Sequence, residues 1–315
     1  MKVWQGCMIA LARSGAVTRF MQDLAPTSGL ASRFVAGAQV EDAIKTAILL
    51  KSQKLATSAF FLGEYVTDRE KVEANVAGIL GAVAAIDGAK VDLHISVDPS
   101  QVGYAINDEL GATNAMRIAE AMGEKSVSGR KTLMLDMEDE NYVQRTIALH
   151  NTLADAGYPV AITIQAYLRR SKSDVRDLAE RRAMVRLVKG AFVGSSKTAF
   201  TTRREIDESY HRLGSLMMSK EAREAGAYPV FGTHDDKIIG PLREKARDEG
   251  WKPQSYEFEM LYGVRPRVQQ SLAAEGESVR LYLPFGRDWW PYAVRRLGEN
   301  PRNAWLVAKA LISRK

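Results

Sequence analysis

Cysteine is almost absent: Cys7 is the single one in 315 residues. No disulfide can close within such a chain and no thiolate cluster can hold a metal, which suits a reducing compartment. Histidine is scarce too. His94, His150, His211 and His234 are spread without a close i, i+4 pair, so no metal site is expected. No apolar run reaches the roughly 20 residues of a membrane-spanning helix. Neither a solenoid-length repeat nor a low-complexity or Pro/Ser-rich tract divides the chain. No GxGxxG follows a candidate strand, which weakens a doubly wound dinucleotide-binding sheet. Lys plus Arg number 44 against 38 Asp plus Glu, but the basic residues are scattered and carry no nucleic-acid module signature, so no nucleic-acid partner is expected. The mild basicity suits an anionic membrane surface or an anionic substrate.

What is present is an ordinary globular composition, 46% hydrophobic and 26% charged, with enough chain for one large domain or two modest ones. The opening MKVWQGCMIALARSGAVTRFMQ is poor in acid and partly amphipathic. A packed N-terminal helix is the expectation, and a transit-like or membrane-surface segment is the other reading. From about residue 58, strand-like runs alternate with helical patterns. The expected strands are Ala59–Val66, Val91–Val97, Thr132–Asp136, Val160–Gln165, Met184–Val188, Tyr228–Gly232, Tyr256–Met260 and Val279–Leu283. Between the first two, Val72, Val76, Ile79, Leu80, Val83 and Ile86 form one stripe of a 3.6-residue period, an amphipathic helix. Each gap is long enough for a crossover helix, so the pattern points to a (βα)8 TIM-like barrel over residues 45–315, with residues 1–44 as a helical arm over one barrel end. A doubly wound open α/β sheet is the alternative.

Reactive groups of such a barrel stand at the C-terminal strand ends. The third strand runs into LDMED, where the two-residue period would put Asp136 and Glu138 on one face toward the axis. Proton chemistry and an internal salt bridge are equally open readings of that pair. Gln165 closes the fourth strand with an amide that donates and accepts, as an imide-like ring edge requires. In VRLVKGAF, Arg186 lies within the fifth strand, Lys189 at its end, and Gly190 permits close backbone approach. Lys189 reads as a Schiff-base nucleophile, a phosphate contact or a salt-bridge partner. FGTHDD offers Thr233 and His234 to a nucleotide, or simply a helix-capping turn. In LYLPFGRDWWPYAVRRLGENPRN a helix starts around Asp288, and Tyr292 precedes Arg295 and Arg296 by three and four residues. Two adjacent guanidiniums beside a tyrosine are costly to desolvate without an anion, and a carboxylate is their natural complement.

LGE at 62–64, LDMED, ITIQAYL, RLVKGAF, FGTHDD, FEMLYGVRP and YLPFGRDWWPYAVRRLGENPRN, in that order over residues 60–303, resemble the proline dehydrogenase family, either monofunctional or as a domain of the bifunctional bacterial enzyme. The resemblance implies a distorted (βα)8 barrel that binds FAD, with the last helix over the barrel mouth. It implies that Arg295 and Arg296 clamp the proline carboxylate, while Tyr282, Tyr292 and Leu261 shape the pocket over the substrate ring. Asp136 and Arg186 occupy the family's catalytic positions, with Arg186 near flavin N5. Met137, Gln165, Arg186, Lys189, Gly190, Ala191, Thr233 and His234 would line the FAD. The implied reaction is oxidation of proline to pyrroline-5-carboxylate by hydride transfer to the flavin, with electrons passed to a membrane quinone. The implied setting is cytoplasmic, with peripheral contact at the inner membrane, and the next step, an aldehyde dehydrogenase reaction, falls to another chain.

One position departs from the family pattern. The second strand usually ends in an ISVK-like motif whose lysine lies beside the substrate, and here HISVDPSQVG places Asp98 there. An anion beside a carboxylate substrate repels it unless it is protonated or turned toward another cation. Three readings follow: a related amine such as hydroxyproline is the substrate, the chain is a slow or non-catalytic flavin-binding homologue, or Asp98 is out of register. A Schiff-base aldolase-type barrel using Lys189 is the competing enzyme class.

Overall fold

Alternation along a barrel strand sends one set of side chains to the axis and the other to the helices outside. In the computed structural model, which describes residues 31–63, 66–124, 129–190 and 195–299, eight parallel strands do this and close in sequence order. They are β1 Ala56–Phe61, β2 Leu93–Val97, β3 Lys131–Leu135, β4 Val160–Gln165, β5 Met184–Val188, β6 Tyr228–Gly232, β7 Glu257–Leu261 and β8 Val279–Phe285. Closure is a full ladder from Ala56↔Arg280 to Phe61↔Phe285, which rules out the open doubly wound sheet.

β4, β5 and β6 have the bounds their patterns predict. β1 does not: it covers 56–61 rather than 59–66. The apolar run AFFL drew the expected strand toward its C-terminal side, but the barrel axis takes small polar groups at this point. Ser58 is fully buried, and its Oγ lies 3.0 Å from Ser96 Oγ on β2. An interior hydroxyl pair satisfies itself there without an apolar partner.

The apolar core lies between strands and outer helices. Helix α3 (Arg69–Ile86) is capped by Asp68, whose side chain accepts from the Lys71 N–H, and it buries Val72, Val76, Ile79, Val83 and Ile86. Leu80 sits at the edge of that stripe, half-buried. Helix α2 (Val40–Ser52) packs on β1, β8 and α3. It covers the wall at the β8–β1 closure, where the last helix of a regular barrel would pack. The boundary drawn at 44/45 falls within this helix. The last helix, α12 (Trp289–Glu299), instead packs against the short α1 (Ala31–Phe34). The segment after α1 is tied to the end of β8 by Ala36 N–H to Pro284 O (2.8 Å) and Gly286 N–H to Gly37 O (2.9 Å). These bonds bring residues 31–37 and α12 to the barrel mouth, at the C-terminal strand ends.

Candidate active site

The axis of the barrel is polar, and Arg186 of β5 is its centre near the mouth. The side chain is buried, and its planar fork meets three acceptors: Nε donates to Thr163 Oγ1 of β4 at 3.0 Å, Nη1 to Glu259 Oε1 of β7 at 3.0 Å, and Nη2 to Asp136 Oδ1. Asp136 directly follows β3, and its N–H bonds Val97 O of β2 (2.8 Å), which holds the carboxylate at the strand ends. Its other oxygen accepts from Tyr282 OH of β8 at 2.7 Å. With a guanidinium on one oxygen and a phenol on the other, Asp136 is an acceptor on both sides, the pattern of an ionised carboxylate. Tyr282 also places its ring 5.4 Å from the Arg186 guanidinium carbon and 5.1 Å from the Phe60 ring. Asp136, Arg186 and Tyr282 are joined here by two residues that the sequence motifs do not mark, Glu259 and Thr163. The signal for Glu259 was available, since Glu257, Glu259 and Leu261 share one face of β7 by the two-residue period.

Below this layer lies a second buried arginine. Arg280 Nε and Nη2 hold both oxygens of Glu257 (2.7 and 3.2 Å), Nη2 also reaches Asp92 Oδ2 (2.9 Å), and Nη1 donates to Thr57 O (2.7 Å). Burial pulls this guanidinium toward neutrality, but the charges of Glu257, Asp92 and Glu259 more than offset it and raise its pKa. His94 of β2 has the inward parity of Ser96 and is buried, with neither ring nitrogen hydrogen-bonded. Burial and the charges of Arg280, Arg186 and Arg130 hold its imidazole well below the ordinary value, so it stays neutral.

The described residues expected to line a dinucleotide lie at the ends of β3 to β6. Gln165 Nε2 donates to Met137 O (3.2 Å), which leaves Gln165 Oε1 buried and without a partner. His234 Nε2 accepts the Leu261 N–H (3.2 Å), so its proton sits on Nδ1, which is buried and also lacks a partner. Burial first, then the charges of Arg296 and Arg265, lower His234 to about 4, and the ring is a neutral donor at working pH. Gly190 adopts φ 94, and a Cβ there would meet the Tyr167 ring at 2.3 Å, so only glycine keeps the backbone close to that surface. An orphaned acceptor and an orphaned donor fit a flavin dinucleotide, whose imide N–H donates and whose polar chain accepts. Thr233 also shapes the turn, its Oγ1 accepting the Asp235 N–H (3.1 Å). Ala191 lies outside the described residues.

Lys189 forms ion pairs with Asp207 (2.5 Å) and Asp235 (2.9 Å). Of its three sequence readings this is the salt bridge, and it is not the apolar or cation-flanked setting that makes a lysine a Schiff-base nucleophile. Glu138 departs from expectation as well. It does not share Asp136's face, because the ladder ends at Leu135 and alternation ends with it. Its oxygens take the Ser100 N–H (2.7 Å) and Oγ–H (2.8 Å), bolting the loop after β2 to the loop after β3. Asp98 caps the short helix Pro99–Val102 in that loop, its N–H donating to Gln101 Oε1 at 2.8 Å. It therefore stands at the mouth, one strand over from Asp136. In α12, Tyr292 is buried and Arg296 stacks over its ring at 5.3 Å. The charge of Arg296 helps to lower the His234 pKa. The backbone of Arg295 is part of α12, and its side chain lies outside the described residues.

Residues 43–309 match the family model described as proline dehydrogenase. The chain is 34% identical over 288 residues to the proline dehydrogenase of Deinococcus radiodurans, covering 90% of each. It is 30% identical over 304 residues to proline dehydrogenase 1 of Bacillus subtilis strain 168, covering 96% of this chain and 97% of the relative. Among solved structures, proline utilization A from Bdellovibrio bacteriovorus, inactivated by N-propargylglycine, superposes with a TM-score of 0.78 at 21% identity. That match covers 89% of this chain and 34% of the other, and at this identity it is a likeness of fold.

Proposed function

This chain belongs to the proline dehydrogenase family, and on that premise we propose that it oxidises L-proline to pyrroline-5-carboxylate with FAD as cofactor. The observation that carries the reading is the three-point hold on Arg186 by Asp136, Glu259 and Thr163 at the barrel mouth. When bound, the flavin supplies the hydride acceptor and hands the electrons to a quinone. Gln165 Oε1 and His234 Nδ1 are the groups that would receive its imide and polar chain, beside Met137, Lys189, Gly190, Ala191 and Thr233.

The chain's own residues have three tasks. Arg295 and Arg296 bind the substrate carboxylate through charge-assisted bonds and so orient the ring. Tyr282, Tyr292 and Leu261 wall the ring and exclude water. Arg186, a fixed cation needing no reorganisation, stabilises negative charge as it develops on the acceptor. The carbon next to nitrogen loses a hydride and the amine its proton, so proline must react as the neutral amine.

The purified protein is expected to be yellow and to bleach on anaerobic addition of proline. Colourless protein, or flavin absorbance indifferent to proline, would sink the reading. N-propargylglycine, which inactivates the Bdellovibrio protein, is expected to inactivate this one. A second reading rests on Asp98 at the mouth beside Asp136: the same chemistry on hydroxyproline or another cyclic secondary amino acid. Turnover with proline and hydroxyproline, compared in wild type and Asp98→Lys, decides between them. A large gain on proline with lysine favours the second reading, and no change removes Asp98 from the substrate site. Quinone reduction at a membrane surface and delivery of the product to a separate aldehyde-oxidising enzyme complete the proposal. Among the described residues no helix is long and apolar enough to cross a membrane.

A further inference from the structure

Glu259 is a charged group at the heart of the barrel to which the proposed reaction assigns no task. It is 4% exposed on β7. Oε1 accepts from Arg186 Nη1, while Oε2 is buried without any hydrogen-bond partner. The charged groups facing it are Arg186 on β5, Arg280 on β8 and Glu257 two residues before it, with Asp136 of the β3 end across the guanidinium. Burial, opposed by Arg186 and reinforced by Glu257, raises its carboxyl above the ordinary range.

A structural ion pair of this kind would be expected to satisfy both oxygens, as Glu257 does with Arg280. Glu259 spends one oxygen on one nitrogen of Arg186 and nothing else. The geometric effect is specific. Arg186 has five N–H donors, and Thr163, Glu259 and Asp136 engage one on each of its three nitrogens. Anchored at all three nitrogens, a planar fork has neither a free rotation nor a free tilt, so its two other N–H groups acquire fixed directions. Take away Glu259 and the fork is held along one edge, free to lean toward Asp136.

We infer that Glu259 is a positioning residue for the oxidation reaction: opposite Asp136, it fixes the plane of the Arg186 guanidinium and sets the charge of the cluster around it. The inference rests on the proposed role of Arg186, and it deepens that role.

The test uses the flavin-loaded protein and two variants, Glu259→Ala and Glu259→Gln. Alanine is expected to lower kcat on proline about 100-fold, the effect of a misplaced catalytic group, with KM changed by less than about threefold, because the carboxylate clamp is elsewhere. Glutamine keeps the acceptor oxygen and should recover most of kcat. It should also flatten the pH dependence of kcat that Glu259 imposes and shift the flavin midpoint potential positive above the pH at which Glu259 ionises. A merely structural bridge would move stability but neither the pH profile nor the potential. An independent readout needs no activity: the Arg186 Nε–H resonance, identified by its loss in Arg186→Lys, should exchange slowly in wild type and Glu259→Gln and rapidly in Glu259→Ala. Unchanged kcat in the alanine variant overturns the inference. If that variant does not fold, a glutamine variant with wild-type pH profile and potential overturns it. Should wild type show no proline turnover, the functional reading fails, and the resonance still decides whether Glu259 positions Arg186.

Discussion

Two buried arginines divide the barrel axis, and they are used differently. Arg280, in the lower layer, meets Glu257 with two nitrogens, Asp92 with one and a backbone carbonyl with the third. Both oxygens of Glu257 bond it, and the layer resembles a closed plug. Arg186, one layer higher, has a single oxygen from each of two carboxylates and one hydroxyl. Its layer contains orphaned atoms: Glu259 Oε2, and near it at the strand ends Gln165 Oε1 and His234 Nδ1. Saturated charge is structure; partly satisfied charge at the open end of a barrel is capacity to bind. The same residue type, equally buried, serves two ends because the upper layer faces the mouth.

The comparison breaks first on stability. Glu257→Ala leaves Arg280 as a buried cation with one carboxylate, and the expected cost is about 3–5 kcal/mol, measured by urea unfolding. If the loss is instead confined to activity, the lower layer is not a plug. Arg186→Met is expected to lower kcat/KM by about 10³-fold, the effect of losing a preorganised charge, with a smaller loss of stability than in the lower layer. An equal drop in stability for both would erase the distinction.

His234 sharpens it through pH. Its folded pKa of about 4 lies below the unfolded value, so the stability it contributes is present above about pH 6.5 and is lost as pH falls through 4. The loss is on the order of 3 kcal/mol at about 1.4 kcal/mol per unit. His234→Asn should remove that slope from a series of thermal melts at pH 4 to 7, and an unchanged slope would assign it to other groups. The smallest effect expected is from Tyr282→Phe, which deletes one donor to Asp136 and keeps the ring. A fall in kcat/KM of about tenfold would correspond to one charged hydrogen bond, and no fall would mean that Asp136 holds Arg186 without help.

Much of the fold was legible because the barrel repeats a local rule. The strands at Val160–Gln165, Met184–Val188 and Tyr228–Gly232 are bounded by turn residues and filled by β-branched or apolar ones, and their limits could be read directly. β1 extends further toward its N-terminal side than hydrophobicity suggests because Ser58 is polar yet inward, and hydrophobicity cannot mark a strand whose axial face carries a hydroxyl. Glu138 was misassigned because alternation ends where the ladder ends, which sequence does not announce. The period of β7 puts Glu257 and Glu259 on one face, but an acid in a strand looks the same whether its partner is across the barrel or in solvent.

The sequence by itself determined the alternating βα order, the strand-end polar groups, the paired arginines of the last helix and the resemblance they carry, because each of these is written in local spacing. Tertiary structure alone decided which acids meet which arginines. Asp136 and Arg186 are separated by 50 residues and Glu259 by a further 73, and only closure of β1 on β8 brings the strands round to a common axis. It also decided that Lys189 is an ion-pair partner and that α12 leaves the wall for the mouth, since α2 already covers the closure. Spacing encodes what a strand can present, and closure of the barrel determines what it presents it to.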